Sequence, residues 1–181
     1  MYSTAPGRYD LYTGGRDQAL ALLRRTIARP GNDTSREGVM VAEVDGVVAG
    51  VLTTFPTAEG TARRRRLVAQ VMRHRAPWHW PPLLRLARMG EQFGPEPPPD
   101  SLYIDALATD RRFRRRGVAT ALLGAAAGRA RSLGLAKLAL DTTAENSGAR
   151  ALYERAGFRL TGELPAGPVI PAVVFYERDV A

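Results

Sequence analysis

One stretch constrains the fold of this chain more than any other: Phe113-Arg114-Arg115-Arg116-Gly117-Val118-Ala119-Thr120-Ala121-Leu122-Leu123. A strand-like run, Leu102-Tyr103-Ile104-Asp105-Ala106-Leu107-Ala108-Thr109, precedes it, and an alanine-rich segment through Leu133 follows. In that segment Ala119, Leu122, Leu123, Ala126, Ala130 and Leu133 recur at helical spacing and predict one apolar stripe. The predicted order is strand, basic glycine turn, helix. A helix start leaves its first N–H groups unpaired and carries the positive end of the dipole, so an anion suits it. Gly117 permits dihedrals and a close backbone approach that a Cβ would forbid. Ala119 keeps the first turn slim, and the five arginines between 111 and 116 add a field for several phosphate charges. A solvated basic loop before an ordinary surface helix is the alternative. The spacing Arg114-x-x-Gly117-x-Ala119, set between strand and helix, argues against it.

That spacing resembles motif A of the GNAT superfamily of N-acetyltransferases, Arg/Gln-x-x-Gly-x-Gly/Ala. A second block, Asn146-Ser147-Gly148-Ala149-Arg150-Ala151-Leu152-Tyr153-Glu154-Arg155-Ala156-Gly157-Phe158, is similar to that family's Asn-x-x-Ala-x-x-Leu-Tyr-x-x-x-Gly-Phe, with each fixed position filled. The resemblance covers roughly residues 101–164; the rest fits the family's order of elements but carries no motif. It implies an α/β (α+β) fold, a mixed, mostly antiparallel twisted sheet flanked by helices, in a single domain over residues 1–181. A helical excursion at about 61–99 would interrupt the family pattern. It also implies an acyltransferase that moves the acetyl group of acetyl-CoA to a primary amine, on a small molecule or a peptide, by direct attack in a ternary complex.

The same resemblance assigns roles. Backbone of Arg114, Arg115, Arg116, Gly117, Val118, Ala119 and Thr120 would grip the cofactor's pyrophosphate. Leu107, Ala108 and Thr109 would pair with the pantetheine arm like an added strand, and their open N–H groups would polarise the thioester carbonyl. Asn146 would bond the pantetheine amide, cap the helix that follows, or do both. Tyr153 is the candidate acid: a phenol with pKa of about 10 can protonate a thiolate whose conjugate pKa is about 8.5. A core tyrosine on a short helix is the other reading. Asp105, an acid inside an apolar strand and on the parity of Tyr103 and Leu107, is the candidate base. A structural hydrogen bond is its alternative, and Glu43 is a second choice of base.

Composition narrows the field where the motifs do not. The chain has 181 residues, enough for one sizeable core, and no cysteine, which excludes disulfides, thiolate catalysis and an acyl-cysteine intermediate. His74 and His79 lie in an arginine- and tryptophan-rich segment without acidic neighbours at ligand spacing, so no metal site is expected. No apolar run spans a bilayer and residues 1–8 lack the apolar core of a signal peptide, which predicts no membrane association and a cytoplasmic location. The net charge of +8 calls for acidic partners. Nucleic acid bound by Arg63-Arg64-Arg65-Arg66 and residues 111–116 is the competing function; it is disfavoured because no helix-turn-helix, zinc or single-strand aromatic pattern accompanies the arginines. A non-catalytic CoA-binding domain is a third reading, and homodimerisation is left open.

The remaining elements follow in order. A helix is predicted over residues 17–28 and a hairpin at Asp45-Gly46, between strands 39–44 and 47–55. A basic helix over 62–75 is broken by Pro77-Trp78-His79-Trp80-Pro81-Pro82 and resumes over 83–89 before a proline-rich return. Trp78 and Trp80 read as an aromatic wall over the acceptor or as packing of the excursion, and the nearby arginines favour an amine that carries an acidic group. Strands are predicted at 137–141, 158–160 and 169–176, with a helix at 149–156 between the first two.

Overall fold

The sheet begins where the sequence placed a turn. In the computed structural model of the chain, described for residues 15–32, 35–73, 96–167 and 171–180, strands β1 (Val39–Val44) and β2 (Val47–Pro56) pair antiparallel. Between them Asp45 (φ 53°) and Gly46 (φ 73°) both adopt the left-handed conformation that a two-residue hairpin turn requires. β2 then pairs antiparallel with β3 (Ser101–Thr109). The helices are α1 (Arg16–Thr26), α2 (Gly60–Arg73), α3 (Val118–Ser132) and α4 (Ser147–Arg155), and the last strands are β4 (Lys137–Thr143), β5 (Arg159–Leu164) and β6 (Val173–Asp179). Strand order is β1-β2-β3-β4-β6-β5, and every neighbouring pair is antiparallel except β3 with β4. This is the mixed, mostly antiparallel α/β sheet that the resemblance implied.

The parallel pair is short. Its register runs from Ser101 opposite Lys137 to Ile104 opposite Leu140 and stops there. β3 continues to Thr109 alongside β2, and β4 continues to Thr143 alongside β6. Beyond Ile104 and Leu140 the two strands pair with each other no further, and among the described residues the sheet is a fork, open between them. At the same level β3 carries a bulge: Thr53 opposes Ala106 and Thr54 opposes Ile104, so Asp105 is the extra residue. A bulge bends its strand and sharpens its twist, which turns β3 away from β4.

One face of the sheet holds both α3 and α4. Leu122, Leu123, Ala126 and Ala130 of α3 pack on Leu52, Leu102, Ile104 and Leu138. Tyr176 opposes Leu140, and Leu140 opposes Ile104, so Tyr153 of α4, which packs on Tyr176, joins the same cluster. The predicted stripe needs correction at its end. Leu133 is 50% exposed because α3 stops at Ser132 and Leu133 leaves the helical path at φ −93°, ψ 0°. Val118 and Ala127 are buried in its stead. On the opposite face Phe55 meets Tyr103 with ring centroids 5.4 Å apart, and Arg63 of α2 lies over the Phe55 ring at 5.9 Å. Boundaries shift modestly elsewhere: α1 ends at Thr26, β4 reaches Thr143, and β6 runs on to Asp179 through polar residues that carry no apolar pattern. Residues 83–89, Trp78, Trp80, His74 and His79 lie outside the described residues.

Gly50 sets the height of α3 above the sheet. It sits opposite Thr109, and a Cβ there would stand 2.7 Å from Val118 Cγ1 and 3.1 Å from Leu122 Cδ1. Val118 is β-branched and stiff within a helix, so it cannot swing aside. Gly50→Val is expected to lower stability by about 1–3 kcal/mol in urea unfolding; an unchanged midpoint would contradict this close contact.

Candidate functional site

The turn after β3 is built around Asp110. Its Oδ1 accepts from the Arg112 backbone N–H at 2.9 Å and from Arg112 Nε at 3.1 Å, and Oδ2 accepts from Nη2 at 3.0 Å. The Arg112 side chain, chiefly, holds this carboxyl below its ordinary range. Arg115 (φ 63°) and Gly117 (φ 80°) then take left-handed conformations that swing the chain into α3. The first bond of the helix runs from Ala121 N to Gly117 O at 2.9 Å, and Gly117 offers no capping side chain. The N–H groups of Val118, Ala119 and Thr120 therefore have no acceptor within the helix, and they stand at its positive end.

A cleft of about 600 Å³ lies between this turn and α4. Thr109, Arg114, Arg115 and Gly117 line one wall, continued by Val118, Ala119 and Thr120. Asn146 and α4 form the other wall. These account for eight of the eleven residues predicted for the donor site. Leu107 and Ala108 sit further back on β3, and the Arg116 guanidinium covers the Phe113 ring at 5.8 Å. Sequence reasoning missed Phe113, Gly148, Ala149, Leu152, Arg155 and Ala156 as lining residues. The spacing Gly148, Leu152, Arg155 is one helical face, a signal available once the helix start is known.

The arginines divide by what they touch. Arg114, Arg115 and Arg155 line the cleft and make no close ion pair among the described residues; Arg114 donates to Thr109 O at 3.4 Å and adds its field to that on Asp110. Arg63, in contrast, is bound to Glu59 at 2.7 Å and donates to Asn32 O at 3.1 Å, while Arg66 donates to Gly31 O at 3.3 Å. The run at 63–66 thus ties α2 to the loop after α1 through two of its members. That weakens the nucleic-acid reading, which needed those side chains for phosphates.

Asn146 caps α4, its Oδ1 accepting from Ala149 N at 3.2 Å, and it also lines the cleft. Tyr153 is 7% exposed and packs between Phe158 and Tyr176, with ring centroids at 5.8 and 6.0 Å. It stands behind the cleft wall. Burial, with the Asp141 carboxylate adding to it, pushes its phenol up to about 12. Asp105 is half-buried and is the first residue of β3 past the last pair with β4. The parity expected from the sequence does not hold: the bulge sets Tyr103 opposite Phe55 and Leu107 opposite Leu52, so the two fall on opposite faces of the sheet. It does not line the cleft. Glu43 lies on β1, two strands away from the fork. Among the described residues no group of three potential metal ligands occurs, and no helix is long and apolar enough to cross a membrane.

A profile of the acetyltransferase (GNAT) family matches residues 15–158. The chain belongs to the GNAT acetyltransferase family. Solved GNAT-type structures share its fold. A protein reported simply as an acetyltransferase has a TM-score of 0.68 at 22% identity, covering 99% of this chain and 95% of its own. An N-acetyltransferase from Staphylococcus aureus Mu50 has a TM-score of 0.67 at 19% identity, covering 97% and 93%. A Bacillus anthracis str. Ames protein, described as a candidate streptothricin acetyltransferase and crystallised with acetyl coenzyme A, has a TM-score of 0.53 at 14% identity, covering 79% and 62%. At these identities the likeness speaks for the fold. A search of curated protein sequences returns no match. The GNAT profile spans both the Gly117 turn and the Tyr153 helix, the two walls of the cleft.

The buried GNAT tyrosine has a pH signature. Its phenol is raised above the ordinary 10.0, so the neutral form stabilises the fold. That stability is fully present below pH of about 10 and is lost as pH rises through about 12. In alkaline absorbance titration Tyr153→Phe is expected to remove one tyrosinate equivalent from the top of the curve. A curve that keeps its uppermost step and loses one near pH 10 would place Tyr153 in solvent.

Proposed function

We propose that the protein transfers the acetyl group of acetyl-CoA to a primary amine, by direct attack in a ternary complex. The observation that carries this reading is the cleft at the start of α3, where three N–H groups without an acceptor in the helix meet three arginines that make no close ion pair among the described residues. Such a site is made for a polyphosphate. Its volume of about 600 Å³ suits a long arm lying between turn and helix. The acetyl-CoA complex of the Bacillus anthracis neighbour, which shares the fold, supports the choice of donor.

The donor supplies an activated thioester; the chain does the rest. Backbone N–H groups of residues 118–120, with Arg114, Arg115 and Arg155, hold the pyrophosphate. The edge of β3 at Leu107, Ala108 and Thr109, past the point where β4 departs, takes the pantetheine arm as an added strand. N–H groups on that edge stabilise the charge that develops on the carbonyl oxygen. Tyr153 donates its proton to the leaving thiolate. Held at about 12, the phenol stays loaded throughout the neutral range. Transfer to a thiolate of conjugate pKa about 8.5 is uphill in water, and the apolar surroundings of Tyr153 lessen the gap, because burial disfavours thiolate as well as phenolate. With no cysteine in the chain, the acetyl group passes straight to the amine.

Gly117 provides the test. A Cβ there would meet no atom within 4 Å, but φ of 80° costs a side chain about 1–2 kcal/mol and its bulk would project at the donor. Calorimetry should show CoA binding in the wild type and a loss of about tenfold or more in Gly117→Val, with the circular dichroism spectrum retained. Equal CoA affinity in the two proteins would remove the assignment.

A further inference from the structure

The fork between β3 and β4 holds a second carboxylate that the motifs do not mark. Asp141 is the first β4 residue past the last parallel pair, Ile104 with Leu140. Leu140 is buried under α3 and α4, so by strand alternation Asp141 belongs to the opposite face, that of Phe55 and Tyr103. There its Oδ1 accepts the Tyr103 hydroxyl, a bond that bridges the two arms of the fork. Asp141 is half-buried, and across the gap it lies within electrostatic reach of Tyr153, which approaches from the other face. An acid and a carboxylate thus flank one point from opposite sides of the sheet. It is the point where an arm laid along β3 would end.

We propose that Asp141, oriented by the Tyr103 hydroxyl, accepts the proton of the attacking amine at this fork. The inference rests on the donor reading above and adds the acceptor side of the reaction. As nitrogen bonds to the carbonyl carbon, the N–H bond breaks and its proton passes to the Asp141 carboxylate. The C–S bond then breaks, its electron pair goes to sulfur, and sulfur takes the phenolic proton of Tyr153. The proton on Asp141 returns to the Tyr153 phenolate, so a neutral amine and a thioester leave as amide and thiol with both side chains restored. Tyr103 is a positioning residue, because it acts through Asp141. Asp105 is the alternative: it stands at the same level, but as the inserted residue of the bulge on β3.

The test reads thiol release from acetyl-CoA, first with water as the only acceptor and then with amino acid amides and small diamines. CoA affinity is followed in parallel by calorimetry. Asp141→Asn is expected to lower kcat about 10²–10⁴-fold while the CoA Kd holds. Asp141→Glu should recover part of the loss. Tyr103→Phe, which keeps the ring against Phe55, should lower kcat less and leave both the acceptor KM and the CoA Kd in place. Should Asp141→Asn fail to fold, Tyr103→Phe carries the test, and undiminished kcat in it overturns the proposal. So does wild-type kcat in Asp141→Asn, or a loss confined to Asp105→Asn. Loss of CoA binding along with kcat in Asp141→Asn makes the residue structural and also overturns it. A wild type that binds CoA but releases no thiol overturns this proposal and spares donor binding; a wild type that binds no CoA overturns both.

Discussion

Four residue pairs hold β3 to β4, and the site exists because there is no fifth. Had the parallel ladder continued, the edge of β3 from Asp105 to Thr109 would be closed, and Asp141 would lie beside a neighbouring strand instead of a gap. Two features keep it from continuing. The bulge at Asp105 bends β3, and β4 is held to β6 along its full length, from Lys137 opposite Asp179 to Thr143 opposite Val173. Each arm of the fork is thus anchored to a different antiparallel partner. A strand edge left open inside a domain is normally a liability; here it is the place where an extended ligand can complete the ladder.

The wedge that keeps the arms apart is also the core. α3 packs on the β1–β3 side and Tyr153 of α4 packs on Tyr176 of β6, and both belong to one apolar cluster. Gly50 lets Val118, the first residue of α3, come down onto the sheet, which places the unpaired N–H groups at the mouth of the cleft. Stability and site geometry therefore draw on the same contacts. The turn between them owes its shape to Asp110 and to the left-handed residues Arg115 and Gly117. Arg115 is a non-glycine residue in a conformation that costs a side chain energy, a kind of strain that collects at functional sites.

What could be read from the chain beforehand was what local chemistry decides. Asp45-Gly46 dictates a hairpin turn by its own dihedral preferences, and Gly117 takes the positive φ its position suggested. The arginine–glycine turn and the asparagine–tyrosine block were legible because each lies within one short segment. The fork was not, since it depends on pairings between residues some 35 positions apart, and neither was the bulge that makes Asp105 an inserted residue. Arginine runs look alike in sequence, yet Arg63 and Arg66 are spent on α2 while Arg114, Arg115 and Arg155 face the cleft. Asp141 escaped notice because a strand ending in Leu-Asp-Thr-Thr gives no hint of which neighbour it leaves first. Leu133 matched the helical period but fell one residue past the helix, where the period no longer applies.

The central claim is that donor binding completes the open edge of β3 and caps the start of α3 at once. Amide hydrogen exchange with and without acetyl-CoA measures both together. The account predicts slowed exchange in residues 105–109 and 118–120, with weaker protection across α4, and little change in β1 or β5. Protection that appears only at 118–120, leaving the β3 edge untouched, would mean that the fork does not receive the acetyl arm, and would contradict the account.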